Sequence, residues 1–87
     1  MKFSDVFFCK KERFSVGIEE ESGRYYLSIP VSNNFVDYEE YYEIDKMSFG
    51  LYQVDMDAAK KFVNRCRNRE VDDLLLIKPG KDRGVPI

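Results

Sequence analysis

The chain has 87 residues, with 14 basic and 16 acidic side chains and no histidine, so its formal net charge is only −2. This length corresponds to a single domain, residues 1–87, and a hydrophobic content of 44% is enough for a core. Without histidine the sequence has no Ser-His-Asp triad, no Cys-His pair and no histidine-ligated zinc site. We therefore expect a protein that is not an enzyme and uses no cofactor.

The two cysteines, Cys9 and Cys66, are far apart in the sequence and form no Cys-x-x-Cys motif. Two thiolates do not complete a four-ligand zinc site within one chain. The longest apolar runs, Val6–Cys9 and Leu74–Ile77, are four residues each, which is too short for a signal-peptide core or a membrane span. These features predict a cytoplasmic protein with two reduced thiols and no membrane association.

Alternation of apolar and polar residues predicts an antiparallel sheet in the first half of the chain. Residues 1–11 are apolar enough for either a short strand or a helical turn. Residues 13–21 and 24–31 alternate with a period of two, which is typical of half-buried strands. Ser22-Gly23 supplies a turn between them, so the two segments predict a hairpin. Pro30 has no amide hydrogen, which predicts that its strand ends at a sheet edge or at a bulge.

Residues 35–44 are the segment whose secondary structure is ambiguous. Their aromatic and β-branched residues favour a strand, although a helix would align three of the tyrosines. In the strand interpretation, one side carries Asp37, Glu39, Tyr41 and Glu43. That interpretation completes a meander of three strands.

The apolar spacing changes to a helical period after Asp45. Asp45 is the predicted N-cap of a short helix, and Asp55 that of a longer helix over about residues 56–69. The run Leu74–Ile77 predicts a strand or a docked extension, and residues 79–87 an irregular C-terminal tail. The predicted class is α+β: an antiparallel meander of three or four strands, packed on one face by a long helix and a short helix.

Opposite charges are segregated along the sequence although they nearly cancel in total. The net charge is +2 over residues 1–18, −8 over residues 19–57 and +4 over residues 58–87. The acidic side of the ambiguous strand, with its tyrosine, is suited to docking a basic partner. On the long helix, Lys61, Arg65 and Arg69 recur at the spacing i, i+4, i+8 along one flank.

These two surfaces predict a non-enzymatic protein–protein interaction module that self-associates as a homodimer. An alternative is an inhibitor or immunity-type protein whose acidic, tyrosine-rich face covers a basic enzyme cleft. A nucleic-acid-binding protein using the basic helix is a further alternative, opposed by the net negative charge. A fourth possibility is a metal-dependent enzyme using Glu39, Glu40 and Glu43. The last is that these charged surfaces are only solvated and bind no partner.

Overall fold

The computed structural model describes the whole chain, residues 1–87. An antiparallel meander in the order β1-β2-β3-β4 is followed by two helices and a short fifth strand. The strands are β1 (Phe3–Cys9), β2 (Phe14–Glu19), β3 (Arg24–Ser32), β4 (Asp37–Ile44) and β5 (Val85–Pro86). The helices are α1 (Lys46–Val54) and α2 (Met56–Arg67), with a 3₁₀ helix at Asp72–Leu74. The α+β class, with a meander sheet packed by helices, is confirmed.

Both ambiguous segments of the N-terminal half are strands. Residues 1–11 contain β1, which pairs antiparallel with β2. The register of this pair shifts between Asp5 and Phe7, so that Val6 forms a bulge. Residues 35–44 contain β4, which pairs with β3 over its full length. The helical alternative for this segment is therefore wrong, and β-propensity decided the outcome.

Pro30 lies at the end of β3 where one neighbouring strand has already ended. The pairing of β2 with β3 ends at Ser15 and Ser28, two residues before Pro30. The missing amide hydrogen therefore interrupts no pair with β2. Pro30 does not lie at a free edge, however, because it pairs with Glu39 of β4 and β5 joins β3 at Val31. The carbonyl of Pro30 accepts a hydrogen bond from the Ile87 amide at 3.2 Å.

The C-terminal segment is more regular than the sequence predicts. Within the predicted irregular tail, residues 79–87, the pair Val85–Pro86 forms β5 beside the free end of β3. A side chain at Gly84 would place its Cβ 2.7 Å from the Ser32 carbonyl carbon, so only glycine allows this approach. The prediction is wrong at β5 because pairing across such a distance in the sequence leaves no local pattern.

The core lies between α2 and one face of the sheet. The helix contributes Ala59, Phe62, Val63 and Cys66, at the predicted spacing. The sheet contributes Phe14, Val16, Leu27, Ile29, Val31, Tyr42 and Ile44. Burial raises the pKa of the Cys66 thiol to about 12, so this residue packs as a small apolar side chain. Both cysteines are free.

Helix α1 places one aromatic ring against the sheet and another against α2. Its N-cap is Asp45, as the sequence predicts. The ring of Phe49 lies 4.6 Å from that of Tyr25, and the ring of Tyr52 lies 5.5 Å from that of Phe62. No residue of α1 is fully buried. Neither α1 nor α2 combines the length and the apolar content needed to cross a lipid bilayer.

The run Leu74–Ile77 is a docked extension along the outer edge of β4. Leu75 forms an isolated bridge with Tyr42, and the Leu76 amide donates to the Tyr41 carbonyl at 2.9 Å. The edge of β4 is therefore covered at Tyr41 and Tyr42, where its backbone groups cannot pair with another chain.

A buried ion-pair network fastens the C-terminal segment to the sheet. Arg83 donates to Glu40 at 2.8 and 3.1 Å and to Asp72 at 2.7 and 2.9 Å. The Tyr42 hydroxyl donates to Glu40 at 2.9 Å. The hydrogen bonds and charge of Arg83 lower the pKa of Asp72. One arginine thus connects β4, the 3₁₀ helix and the segment before β5.

Candidate functional site

The sheet face turned away from α2, here called the outer face, carries a cluster of three aromatic rings. Phe3 of β1 and Tyr41 of β4 stack at a centroid distance of 3.6 Å and an interplanar angle of 9°. Tyr26 of β3 lies edge-on to both rings, at 5.4 and 5.0 Å, and is fully buried beneath them. We call Phe3, Tyr26 and Tyr41 the outer aromatic cluster. It joins the two outermost strands of the meander across its surface.

Gly17 makes room for this cluster. A Cβ at this position would lie 2.6 Å from Tyr26 Cζ and would also meet the Ser4 carbonyl oxygen. Because Gly17 has no side chain, the Tyr26 ring extends over β2 and its hydroxyl donates to Asp5 at 2.5 Å. Burial, and then the hydrogen bond to Asp5, raise the pKa of Tyr26. The hydroxyl therefore stays protonated and holds the Asp5 carboxylate on the outer face.

The four site residues predicted on β4 lie together on the outer face. Asp37 and Glu39 are exposed, whereas Tyr41 is half-buried under Phe3. Glu43 forms an ion pair with Arg24 at 3.3 Å, and both side chains are about half exposed. The structure thus brings Asp37, Glu39, Tyr41 and Glu43 onto one surface, with Glu43 partly neutralised.

Three carboxylates on and beside this surface, those of Asp5, Asp37 and Glu39, form no ion pair within the chain. Loss of water, and then the charge of Asp5, raise the pKa of Glu39. A neighbouring cation would favour the ionised form of Glu39 and so oppose this shift. We call these three residues, with the outer aromatic cluster, the acidic-aromatic site.

Sequence reasoning missed Phe3 and Asp5, because the strand containing them was ambiguous. The bulge at Val6 breaks the alternation of β1, so no simple period assigns its residues to a face. Gly17 was the one sequence feature that pointed to this cluster, because a glycine inside a strand often marks the close approach of another group.

The acidic run Glu19-Glu20-Glu21 does not contribute to this site. The Glu19 carboxylate accepts hydrogen bonds from the amides of Lys2, Glu21 and Ser22 at 2.8, 3.0 and 2.8 Å. Glu21 pairs with the N-terminal ammonium group at 3.1 Å. These contacts shape the turn between β2 and β3, so the acidic surface is narrower than the charge pattern of the sequence suggests.

The stability contributed by Glu19 should depend on pH. Hydrogen bonds, first that of the Ser22 hydroxyl, lower the pKa of Glu19 from 4.5 to about 2. A lowered pKa stabilises the fold above the unfolded-state value and loses this effect as the pH falls towards the folded-state value. We expect the Tm advantage of the wild type over Glu19→Gln to be constant above pH 4.5 and to vanish near pH 2. Thermal melts across this range test it, and a pH-independent difference would contradict it.

The predicted basic flank of α2 is shorter than the sequence indicates. Lys61 and Arg65 are exposed on the helix, but α2 ends at Arg67 rather than near position 69. Arg69 adopts a left-handed conformation with φ 57° just beyond the end, and its guanidinium donates to the Gly84 carbonyl at 3.0 Å. The amides at 69 and 70 donate back to the last turn at 3.1 and 2.9 Å, a Schellman arrangement. The prediction that Arg69 continues the flank of Lys61 and Arg65 is therefore wrong.

The acidic and basic surfaces lie on opposite sides of the sheet, because α2 covers the core face. Contact between the acidic surface of one copy and the helix of another would repeat head to tail. Such a heterologous contact does not close as a two-fold dimer. The predicted homodimer through these complementary surfaces therefore gains no support from their placement.

The carboxylates proposed for a metal-dependent enzyme do not converge. Glu39 and Glu43 lie on the outer face, whereas Glu40 lies on the core face and pairs with Arg83 at 2.8 Å. No group of three or more Cys, Asp or Glu side chains is placed to hold a metal ion.

A shallow groove of about 600 Å³ lies beside β4. Lys78 and Lys81 line it together with Glu39, so positive charge borders the acidic surface on this side.

The acidic-aromatic site contains side chains of the kinds that can bind cations. Carboxylates accept hydrogen bonds from guanidinium and ammonium groups, and aromatic faces attract the same cations. Stacking and hydrogen bonds to neighbouring residues hold the rings in place.

Comparison of the chain with protein-family models, with curated proteins and with solved structures finds no match.

Proposed function

We propose that the chain is a non-enzymatic protein–protein interaction module whose acidic-aromatic site binds a basic surface of a partner protein. The observation that carries the proposal is that Asp5, Asp37 and Glu39 remain without ion pairs next to ordered aromatic rings. By contrast, Glu40 pairs with Arg83, and Glu19 accepts hydrogen bonds from backbone amides in the β2–β3 turn.

The site favours arginine on the partner. A guanidinium group stacks on an aromatic face and also donates two parallel hydrogen bonds to a carboxylate. Phe3 stacks on Tyr41, and Glu39 lies two residues from Tyr41 on the same side of β4, so one arginine can contact this stack of rings and the Glu39 carboxylate together. Approach of positive charge also favours the ionised form of Glu39, whose pKa is raised first by loss of water and then by the charge of Asp5.

An inhibitor or immunity-type protein is the form of this function in which the partner is an enzyme with a basic cleft. A small rigid acidic surface suits that task, because charge complementarity accelerates encounter and fixes orientation. The ordered outer aromatic cluster supplies apolar area at the centre of such a contact.

Charge reversal at the site tests the proposal. We expect wild-type protein, cross-linked in extracts of its source cells, to enrich a basic protein that the variant Asp37→Lys/Glu39→Lys loses. With the purified pair, the variant should raise Kd by about 10-fold or more, and added salt should weaken the wild-type complex.

The matched control is Glu70→Lys/Asp73→Lys, which changes the charge equally at exposed residues beyond α2. This control should retain the partner. Recovery of no basic protein, or equal loss of the partner by the control, would count against the proposed site.

A further inference from the structure

Ser28 of β3 carries a buried hydroxyl that has no hydrogen-bond partner. The residue is 1% exposed, and its Oγ atom makes no hydrogen bond within the chain. Ser28 shares the outer face with Tyr26, because Leu27 and Ile29 alternate with them and point into the core. Buried polar groups are almost always paired, so this hydroxyl indicates a group that the chain itself does not supply.

The floor of the acidic-aromatic site is polar around this hydroxyl. Ser15 of β2 lies opposite Ser28 and is also buried. On the other side Ser28 pairs with Tyr41 of β4, and Glu39 is the next residue along the same side of that strand. Loss of water raises the pKa of Glu39, and the nearby Ser28 hydroxyl opposes this shift, although the two groups form no hydrogen bond. The hydroxyl therefore points toward the acidic side of the site.

Two carboxylates from the outermost strands of the meander approach each other above Ser28. Asp5 of β1 is held by the Tyr26 hydroxyl at 2.5 Å, and Glu39 extends from β4. Loss of water, and then the charges of Glu39 and Asp5, raise the pKa of Tyr41, so both carboxylates lie near this one ring. Neither carboxylate forms an ion pair within the chain. A position lined by oxygen atoms and two negative charges results.

We propose that Asp5, Glu39 and the Ser28 hydroxyl bind a divalent metal ion, with Ca²⁺ preferred over Mg²⁺. All three side chains supply oxygen, the ligand that these cations prefer, and the two carboxylates match the charge of the ion. The ligands come from three different strands, an irregular arrangement that Ca²⁺ tolerates and Mg²⁺ does not. Water completes the coordination shell on the exposed side of Glu39.

The burial of Ser28 favours an ion over a side chain of a partner protein as the missing group. A single ion needs only a small opening to contact the hydroxyl, whereas a lysine or arginine from outside must also displace the neighbouring rings. Glu39 is exposed and makes no hydrogen bond, so its side chain can turn to admit the ion. Because only two carboxylates take part, we expect a weak site, with a Kd of about 0.1–1 mM.

The ion and a basic partner would compete, since both use the carboxylates of Asp5 and Glu39. Ca²⁺ should therefore weaken the complex with a basic protein more than a sodium salt of equal ionic strength does. Ion binding itself does not depend on the proposed function, because it is measured on the chain alone.

Titration of the full chain with Ca²⁺ at constant ionic strength, followed by ¹H–¹⁵N NMR, tests the site. We expect saturable shifts of the amide signals of Asp5, Ser28 and Glu39, with a Kd of about 0.1–1 mM and a higher Kd for Mg²⁺. Tb³⁺ offers a second readout, because excitation of Tyr26 and Tyr41 should sensitise its luminescence at this position. Added Ca²⁺ should displace the Tb³⁺ and abolish that signal.

Three variants separate an ion site from a surface that is merely acidic. Ser28→Ala should raise the Ca²⁺ Kd at least about 5-fold without lowering the Tm of the metal-free chain, because it removes a hydroxyl that is already unpaired. Glu39→Gln should raise the Kd at least about 10-fold. The matched control is Asp37→Asn, which removes the same charge at an exposed residue of β4 and should change the Kd less than about 2-fold.

Absence of saturable shifts up to about 10 mM Ca²⁺ would overturn the proposal. So would a Ser28→Ala variant with a lower Tm and wild-type Ca²⁺ affinity, since the hydroxyl would then serve the fold alone. An equal effect of Asp37→Asn and Glu39→Gln would show diffuse attraction rather than a site. Because Ser28→Ala leaves the surface charge unchanged, it should lose the ion but retain a basic partner, so the two proposals fail separately.

Discussion

Replacing Arg83 by methionine is expected to lower the free energy of unfolding by about 3–5 kcal/mol, because the Glu40 carboxylate would stay buried without its charge partner. The Glu40 side chain is 7% exposed and the Arg83 side chain 14% exposed. Methionine keeps an unbranched side chain in the same space but removes all four hydrogen bonds. Urea denaturation followed by far-ultraviolet circular dichroism measures the loss.

The second partner of the network provides the internal control. In the double variant Arg83→Met/Glu40→Gln the buried charge is gone while an acceptor for the Tyr42 hydroxyl remains, so most of the lost stability should return. Asp72→Asn should cost much less, because the Asp72 side chain is 39% exposed. Lys81→Met, at an exposed neighbour, should be nearly neutral. Equal stability of Arg83→Met and the wild type would contradict the assigned role.

Local periodicity predicted the parts of the fold whose residues bury one face against a common core. The alternation in β2 and β3 and the 3.6-residue spacing in α2 are properties of short segments, and each indicates which side faces inward. For β4 the strand prediction rested on β-propensity instead. β5 has no such pattern, because its two residues pair with β3 only after Gly84 passes close to Ser32. The ion pair between Glu40 and Arg83 could not be predicted from local patterns either, because the two residues are 43 positions apart in the sequence.

The candidate site shows the same division between local and long-range information. Alternation placed Asp37, Glu39, Tyr41 and Glu43 on one side of β4, and the structure has them there. The segregation of charge along the sequence overstated the segregation in space, because Glu40 and the run Glu19–Glu21 find partners within the chain. What remains is a smaller acidic surface, centred on rings from both outermost strands of the meander.

Gly17→Ala is expected to destabilise the chain by about 3 kcal/mol, because overpacking of a buried site forces backbone and side chains to move. The added Cβ would lie 2.6 Å from Tyr26 Cζ and would meet the Ser4 carbonyl oxygen of the neighbouring strand. Movement of the ring is not sufficient, since the backbone of β1 must shift as well. The shift should separate β1 from β2 and open the outer aromatic cluster, which a partner-binding assay would register as lost affinity.

Two further variants distinguish this strain from a general intolerance of alanine. Gly80→Ala, where a Cβ meets open space, should leave stability unchanged. Tyr26→Phe removes the nearest ring atom and its hydrogen bond to Asp5 but leaves the clashes with Tyr26 Cζ and the Ser4 carbonyl. Gly17→Ala should therefore cost as much stability in the Tyr26→Phe background as in the wild type. Full recovery in the double variant would show that the hydroxyl alone sets the limit, and the position of β1 would then not depend on Gly17. An equal cost in both backgrounds would show that the position of β1 beside β2, and with it the outer aromatic cluster, depends on the missing side chain of Gly17.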